Sequence, residues 1–235
     1  MTRIVLVLVL VLVLDPGCTG RSSTSTRTST MKSEQLVTAV VDDWSSTHAT
    51  MRLWQRDHGA WQPVGEPWPA VVGVHGVARP ADKREGDGKS PAGRFALRAA
   101  YGYAPAPPRG TKLPYTPTDA SWQCVDDPRS RYYARVLDRR TVTPDWSSAE
   151  DMHRGDALYT WVIDTAYNAE QAPAAGSCIF LHVWSGPDSA TVGCTAMAPA
   201  QLAHLLSALE PGAEYVLLPR DEYRALAQPW GLPAQ

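Results

Sequence analysis

Short alternating runs of apolar and polar residues, separated by turn formers, dominate this chain. They predict strands over Leu36–Val41, Thr50–Gln55, Ala70–Val77, Phe95–Ala99, Tyr132–Leu137, Leu158–Asp164, Ile179–Trp184 and Glu214–Leu218. A helical period appears after Pro199, a favourable first helical position. There Leu202, Leu205, Leu206 and Leu209 fall on one face until Pro211 and Gly212 end the run. This helix is expected to pack on the sheet behind the loop that follows the Ile179–Trp184 strand. With no internal repeat, many strands and a few short helices predict a mainly β fold, read directly as a mixed β-sandwich.

The N-terminus follows another pattern. Arg3 precedes an unbroken apolar run from Ile4 to Leu14, which Asp15, Pro16 and Gly17 close. Such a run is too short for a membrane-spanning helix, which needs about 20 residues, and it reads as a secretory signal. Gly17 before Cys18 suits lipidation of Cys18. Residues 1–18 are therefore expected to be a lipoprotein-type signal, leaving the protein membrane-anchored in the cell envelope or periplasm. Cleavage nearby to a soluble exported protein is the alternative. Thr19–Ser33, almost all Ser, Thr and Arg, reads as a tether, and residues 34–235 as one folded domain.

Composition narrows the partners. The chain has 235 residues, 44% hydrophobic, enough for one core, and a formal charge of −2. Without a basic surplus, nucleic acid is not an expected partner. Export also changes the reading of the four cysteines. With Cys18 lipidated and Cys194 kept as a reactive thiol, Cys124 and Cys178 are expected to form a disulfide. It would pin the Pro105–Asp127 insertion near the strand that carries His182, since Cys178 shares that residue's strand parity. A zinc site from Cys124, Cys178, Cys194 and His182 is the rival, but no C-x-x-C or H-x-x-x-H spacing supports it. No metal or other cofactor is expected.

Candidate chemistry concentrates around His182 and Cys194. Strand parity puts Ile179, Leu181 and Val183 on one face and Phe180, His182 and Trp184 on the other, so His182 stands apart from the aliphatic row. The turn-rich stretch Ser185–Ser189 can return the chain so that Gly193 and Cys194 arrive beside the end of that strand. An imidazole that takes a thiol's proton makes the nucleophilic thiolate. Gly193 can adopt positive φ, leaving the Gly193 and Cys194 amides to face an oxyanion. Each residue alone has a plainer explanation, a buried small thiol and a satisfied core histidine.

Their company reverses that balance. SCIFLHVWSGPDSATVGCTAM resembles the L,D-transpeptidase catalytic-domain family, whose signature is a strand histidine, a variable loop and Ser/Thr-x-Gly-Cys. Here these are His182 and Thr191-Val192-Gly193-Cys194. KREGDGKSPAGRF (Lys83–Phe95) and AEDMHRGDALYTWVIDTAYN (Ala149–Asn168) resemble the family's glycine-rich opening and the segment before the histidine strand. The resemblance implies a β-sandwich of the L,D-transpeptidase type, with Cys194 as nucleophile, His182 as base and Gly193 at the oxyanion. The implied partner is a peptidoglycan stem peptide, attacked at an L,D-peptide bond to give a thioester. An amine acceptor then gives a crosslink or a protein attachment, and water gives carboxypeptidase or amidase activity. Thr191, Trp184, Tyr167 and Asn168 are expected to bind substrate, the last two at the pocket floor.

One position departs from the family pattern: Ala196 stands where many members carry Arg. Losing a guanidinium that could clamp a carboxylate keeps two other readings open. These are chemistry on a glycan or another envelope polymer, and a non-catalytic wall-binding lipoprotein. The group that orients His182 is also open among a backbone carbonyl, Asp188, Ser185 and Ser189.

Overall fold

The structure, a computed structural model, describes residues 34–234, so the expectations for Cys18, the signal and the tether lie outside the described residues. Its strands are β1 (Gln35–Val41), β2 (His48–Asp57), β3 (Ala60–Val71), β4 (Val77–Ala78), β5 (Ser90–Pro91), β6 (Gly93–Ala96), β7 (Ala99–Gly102), β8 (Tyr115–Pro117), β9 (Trp122–Val125), β10 (Val136–Asp138), β11 (Ala149–Asp151), β12 (Val162–Asp164), β13 (Phe180–Val183), β14 (Thr195–Met197) and β15 (Glu214–Pro219). The helices are α1 (Pro199–Ala208) and α2 (Arg220–Trp230). The fold is mainly β, as the pattern predicts. Ten strands form one mixed sheet in the order β6-β15-β1-β2-β3-β14-β13-β12-β7-β8, while β10-β9-β11 form a separate three-stranded sheet.

Strand β1 is buried at every residue because it lies between β15, which runs parallel to it, and antiparallel β2. Its near-continuous apolar run suits a strand covered on both faces. Thr38 interrupts the run, and its hydroxyl accepts the Trp54 indole N–H at 3.0 Å. Strand β3 begins ten residues earlier than the pattern suggests, at Ala60. Pro63, Gly65 and Pro67 hide it from a sequence reading, yet over that half it pairs only with β2, and β14 joins only at Ala70 and Val71. A sheet edge is where proline does least harm, since no ladder bond is lost.

Strand β13 sits between antiparallel β12 and parallel β14, with His182 opposite Val162 on one side and Ala196 on the other. Its parity is as expected. Leu181 and Val183 join the main core with Leu202, Leu205, Leu206 and Leu209, whereas Phe180 faces a second cluster of Cys124, Met152, Tyr159, Val162 and Cys194. Each α1 leucine that is fully buried contributes about 1.5–3 kcal/mol, so Leu205→Ala would loosen the layer directly beneath β13. Helix α2 is absent from the hydrophobic pattern because Tyr223 is its one buried residue and Pro229 lies inside it. It ends at Gly231, whose φ of +61° makes the left-handed cap.

The small sheet is tied to the large one through Cys124 on β9, which forms a disulfide with Cys178 across a separation of 54 residues. The pairing is the expected one, and it removes two of the four ligands from the zinc alternative. Its parity argument needs correction: Cys178 precedes β13 with left-handed backbone, at φ +55°, and so has no strand parity.

Candidate active site

The returning loop is built by pairing. The Thr191 N–H donates to Val72 O at 2.9 Å, and Val74 N–H donates to Thr191 O at 2.7 Å, which sets Cys194 at the head of β14. Two hydroxyls, Thr191 Oγ1 at 2.7 Å and Ser90 Oγ at 2.9 Å, then donate to the Cys194 carbonyl. Ser90 in turn accepts the Gly73 N–H at 2.9 Å, so the glycine-rich segment and the cysteine loop share one bond network. At Gly193, with φ +156°, an added Cβ would lie 3.2 Å from Ile179 Cδ1 and 3.3 Å from Lys89 O. Glycine fits this position chiefly for want of space.

The oxyanion expectation changes in one part. The Gly193 N–H donates to Thr191 Oγ1 at 3.1 Å, whereas the Cys194 N–H has no intramolecular acceptor among the described residues. Of the two amides, Cys194's is the one poised to meet a ligand.

His182 is 7% exposed, and its Nδ1 lies 2.7 Å from the Val183 carbonyl. That carbonyl accepts a proton held on Nδ1, which leaves Nε2 as the basic nitrogen. The orienting group is therefore backbone. Asp188 lies 3.6 Å from His48 instead, on a side chain 94% exposed.

The Cys194 sulfur accepts the Phe180 N–H at 3.3 Å and donates to the Cys178 carbonyl at 3.3 Å. Burial pushes the thiol up to about 12, with the Glu150 charge adding to it, and burial holds the imidazole down to about 4. At neutral pH both groups are uncharged. The thiolate is therefore made when His182 takes the proton, from a neutral thiol and a neutral base.

Both residues line one cavity of about 760 Å³. Thr191 and Trp184 line it too, and Val74 and Val192, 50% and 82% exposed, stand at its rim. Tyr167 and Asn168 do not line it. The Tyr167 hydroxyl donates to Ala175 O at 2.6 Å and the Asn168 amide to Gly176 O at 2.9 Å, so they staple the loop that leads to Cys178. Their contribution is to the position of the disulfide rather than to a pocket floor. Arg94 pairs with Glu214 and the Trp230 carbonyl, which fastens β6 to β15 and α2.

Three residues that the pattern did not single out complete the wall: Glu150, Arg154 and Tyr159. Tyr159 Oη donates to Glu150 Oε1 at 2.6 Å, and Arg154 Nη1 lies 3.4 Å from the same oxygen. All three fall within Ala149–Asn168, but no spacing marks them. Their meeting depends on β11 pairing with β9, the strand the disulfide holds.

A family model described as the L,D-transpeptidase catalytic domain, YkuD, matches residues 37–217. The chain belongs to this family. Its L,D-transpeptidase-type domain thus spans the great sheet, α1 and the site just described. Among solved structures, Mycobacterium tuberculosis L,D-transpeptidase 1 is 12% identical, over 79% of this chain and 62% of that one, with a TM-score of 0.36. An L,D-transpeptidase (Yku) from Stackebrandtia nassauensis is 13% identical, over 84% of this chain and 61% of that one, with a TM-score of 0.34. This chain therefore covers about three fifths of each of those chains. No curated protein matches it.

Proposed function

We propose that this protein is an exported cysteine acyltransferase that acts on peptidoglycan stem peptides through a Cys194 thioester. The observation that carries the reading is that Cys194 and a His182 whose tautomer is set by Val183 line the same cavity in a chain of this family.

Because both partners are neutral at rest, proton transfer accompanies attack. The sulfur adds to the carbonyl of an L,D-peptide bond as its proton passes to His182 Nε2, and the Cys194 amide receives the oxyanion. The tetrahedral centre collapses when the imidazolium gives that proton to the departing amine of the D-amino acid, leaving the thioester. An amine from a second stem, deprotonated by His182, then attacks the thioester carbonyl; the C–S bond breaks, the Cys194 sulfur takes the proton back from His182, and the crosslink is complete. Export belongs to this reading, since the Cys124–Cys178 bridge suits an oxidising compartment. Lipidation at Cys18 would supply the membrane anchor.

The test is intact mass spectrometry of the purified protein mixed with a stem tetrapeptide and, separately, with a carbapenem. The expected result is an adduct, with release of the terminal D-amino acid from the peptide, that Cys194→Ala abolishes. Folded wild-type protein that forms no adduct with either would remove the reading and direct the search to another envelope polymer. Release of the acyl group to water rather than to an added amine would make the enzyme a carboxypeptidase.

A further inference from the structure

Tyr159 and Glu150 have no part in the steps just described, yet they line the cavity that holds both reacting groups. Tyr159 is 2% exposed, and its ring packs edge-on against the His182 imidazole, with centroids 5.2 Å apart. It packs in the same way on Phe180 at 6.0 Å, the residue whose amide holds the Cys194 sulfur. Its hydroxyl is 2.6 Å from Glu150 Oε1. Glu150 reaches that point from β11, with Arg154 beside it and Asp156 binding the rest of the guanidinium at 3.0 Å. A buried phenol needs one acceptor, and a backbone carbonyl would serve at less cost than a desolvated carboxylate with Asp126 and Asp151 close by.

We propose that Tyr159 is a further catalytic residue and Glu150 the residue that positions it. As Cys194 passes its proton to His182 Nε2, the phenol turns its hydrogen bond from Glu150 to the sulfur and holds the thiolate for attack. Tyr159 keeps its own proton, so the thiol's is the one proton that moves. The inference rests on the acyl-transfer reading.

The two groups act on the sulfur with opposite sign. Tyr159 shares a buried cluster and a cavity wall with Cys194 and draws the thiol's pKa down, whereas the Glu150 charge pushes it up. The carboxylate thus adds to the burial that keeps the nucleophile protonated at rest, and the phenol receives it once it ionises. The other charged or titratable groups near the pair are Asp151 on β11, Arg154 and Asp156 from the loop after it, Asp126 after β9, His182 on β13 and Tyr215 on β15. Substituting Tyr159 or Glu150 leaves all of them in place.

The experiment compares the full-length chain with Tyr159→Phe and Glu150→Gln. Folding is checked by circular dichroism, and two rates are read across pH: iodoacetamide alkylation of the Cys194 peptide, and acylation by a carbapenem. Tyr159→Phe is expected to slow alkylation by about three- to tenfold and acylation by about tenfold or more, the worth of one hydrogen bond to a charged atom. Glu150→Gln is expected to speed alkylation. Loosened packing alone would expose the thiol and speed alkylation in both variants, which overturns the proposal. So would a Tyr159→Phe protein that matches wild type in both rates while wild type is acylated. A wild-type chain that is never acylated overturns the acyl-transfer reading and this inference with it.

Discussion

The uncharged state of the Cys194–His182 pair can be tested by alkylating the thiol while pH is raised from 6 to 10. A thiol held up at about 12 is ionised to only about one part in 10⁵ at pH 7, against a few per cent for a free cysteine near 8.5. Iodoacetamide should therefore label Cys194 about a thousandfold more slowly than it labels the same cysteine in urea-unfolded protein. The rate should climb close to tenfold per pH unit across the whole range. His182→Ala should leave that slope in place, because an imidazole held down at about 4 carries no charge to stabilise a thiolate in this range. Quantifying the Cys194-containing peptide by mass spectrometry keeps any label at Cys18 out of the reading, and the bridged Cys124 and Cys178 do not react. A labelling rate that is already level between pH 6 and 8, and that falls when His182 is removed, would refute the reasoning and establish a resting thiolate–imidazolium pair.

Other expectations follow from the same contacts. Replacing Cys124 and Cys178 by Ala should cost about 4 kcal/mol in urea denaturation, from the loop entropy of a 54-residue separation. A loss below about 1 kcal/mol would mean that the bridge constrains nothing beyond its own surroundings. His182 has its ordinary value of 6.5 when unfolded but about 4 when folded, so the unfolded chain binds the extra proton. Stability should accordingly be full above pH 6.5 and fall by up to ~3 kcal/mol as pH drops towards 4, with His182→Gln flattening that part of the curve. Ser90→Ala strands the buried Gly73 N–H and leaves the Cys194 carbonyl with Thr191 as its one hydroxyl donor, so it should cost about 1–3 kcal/mol in thermal or chemical unfolding. Gly193→Ala should slow acylation by more than about tenfold while the protein stays folded, because relieving contacts of 3.2 and 3.3 Å shifts the nucleophile. Acylation at the wild-type rate would show that the loop yields without moving the sulfur.

What the sequence by itself determined is what depends on short-range periodicity. The apolar run of β1, the parity of β13 that separates His182 from Leu181 and Val183, and the leucine face of α1 all follow from residues a few positions apart. His182 and Cys194 were legible as a pair because their motif is local, and the Cys124–Cys178 bridge followed from their being the two cysteines left over. Helix α2 and the outer half of β3 escaped because α2 is polar with an internal proline and β3 carries Pro63, Gly65 and Pro67 on a sheet edge. Short strands such as β9 and β11 carry too few residues to show a period, and they exist through pairing with each other. Only the tertiary structure decided the chemistry of the site. Desolvation by Tyr159, Phe180 and their neighbours makes thiol and imidazole neutral, Thr191 takes the Gly193 amide, and β11 brings Glu150 to the phenol. Protonation states and free donors depend on what surrounds a group in space, and residues far apart in the chain supply those surroundings.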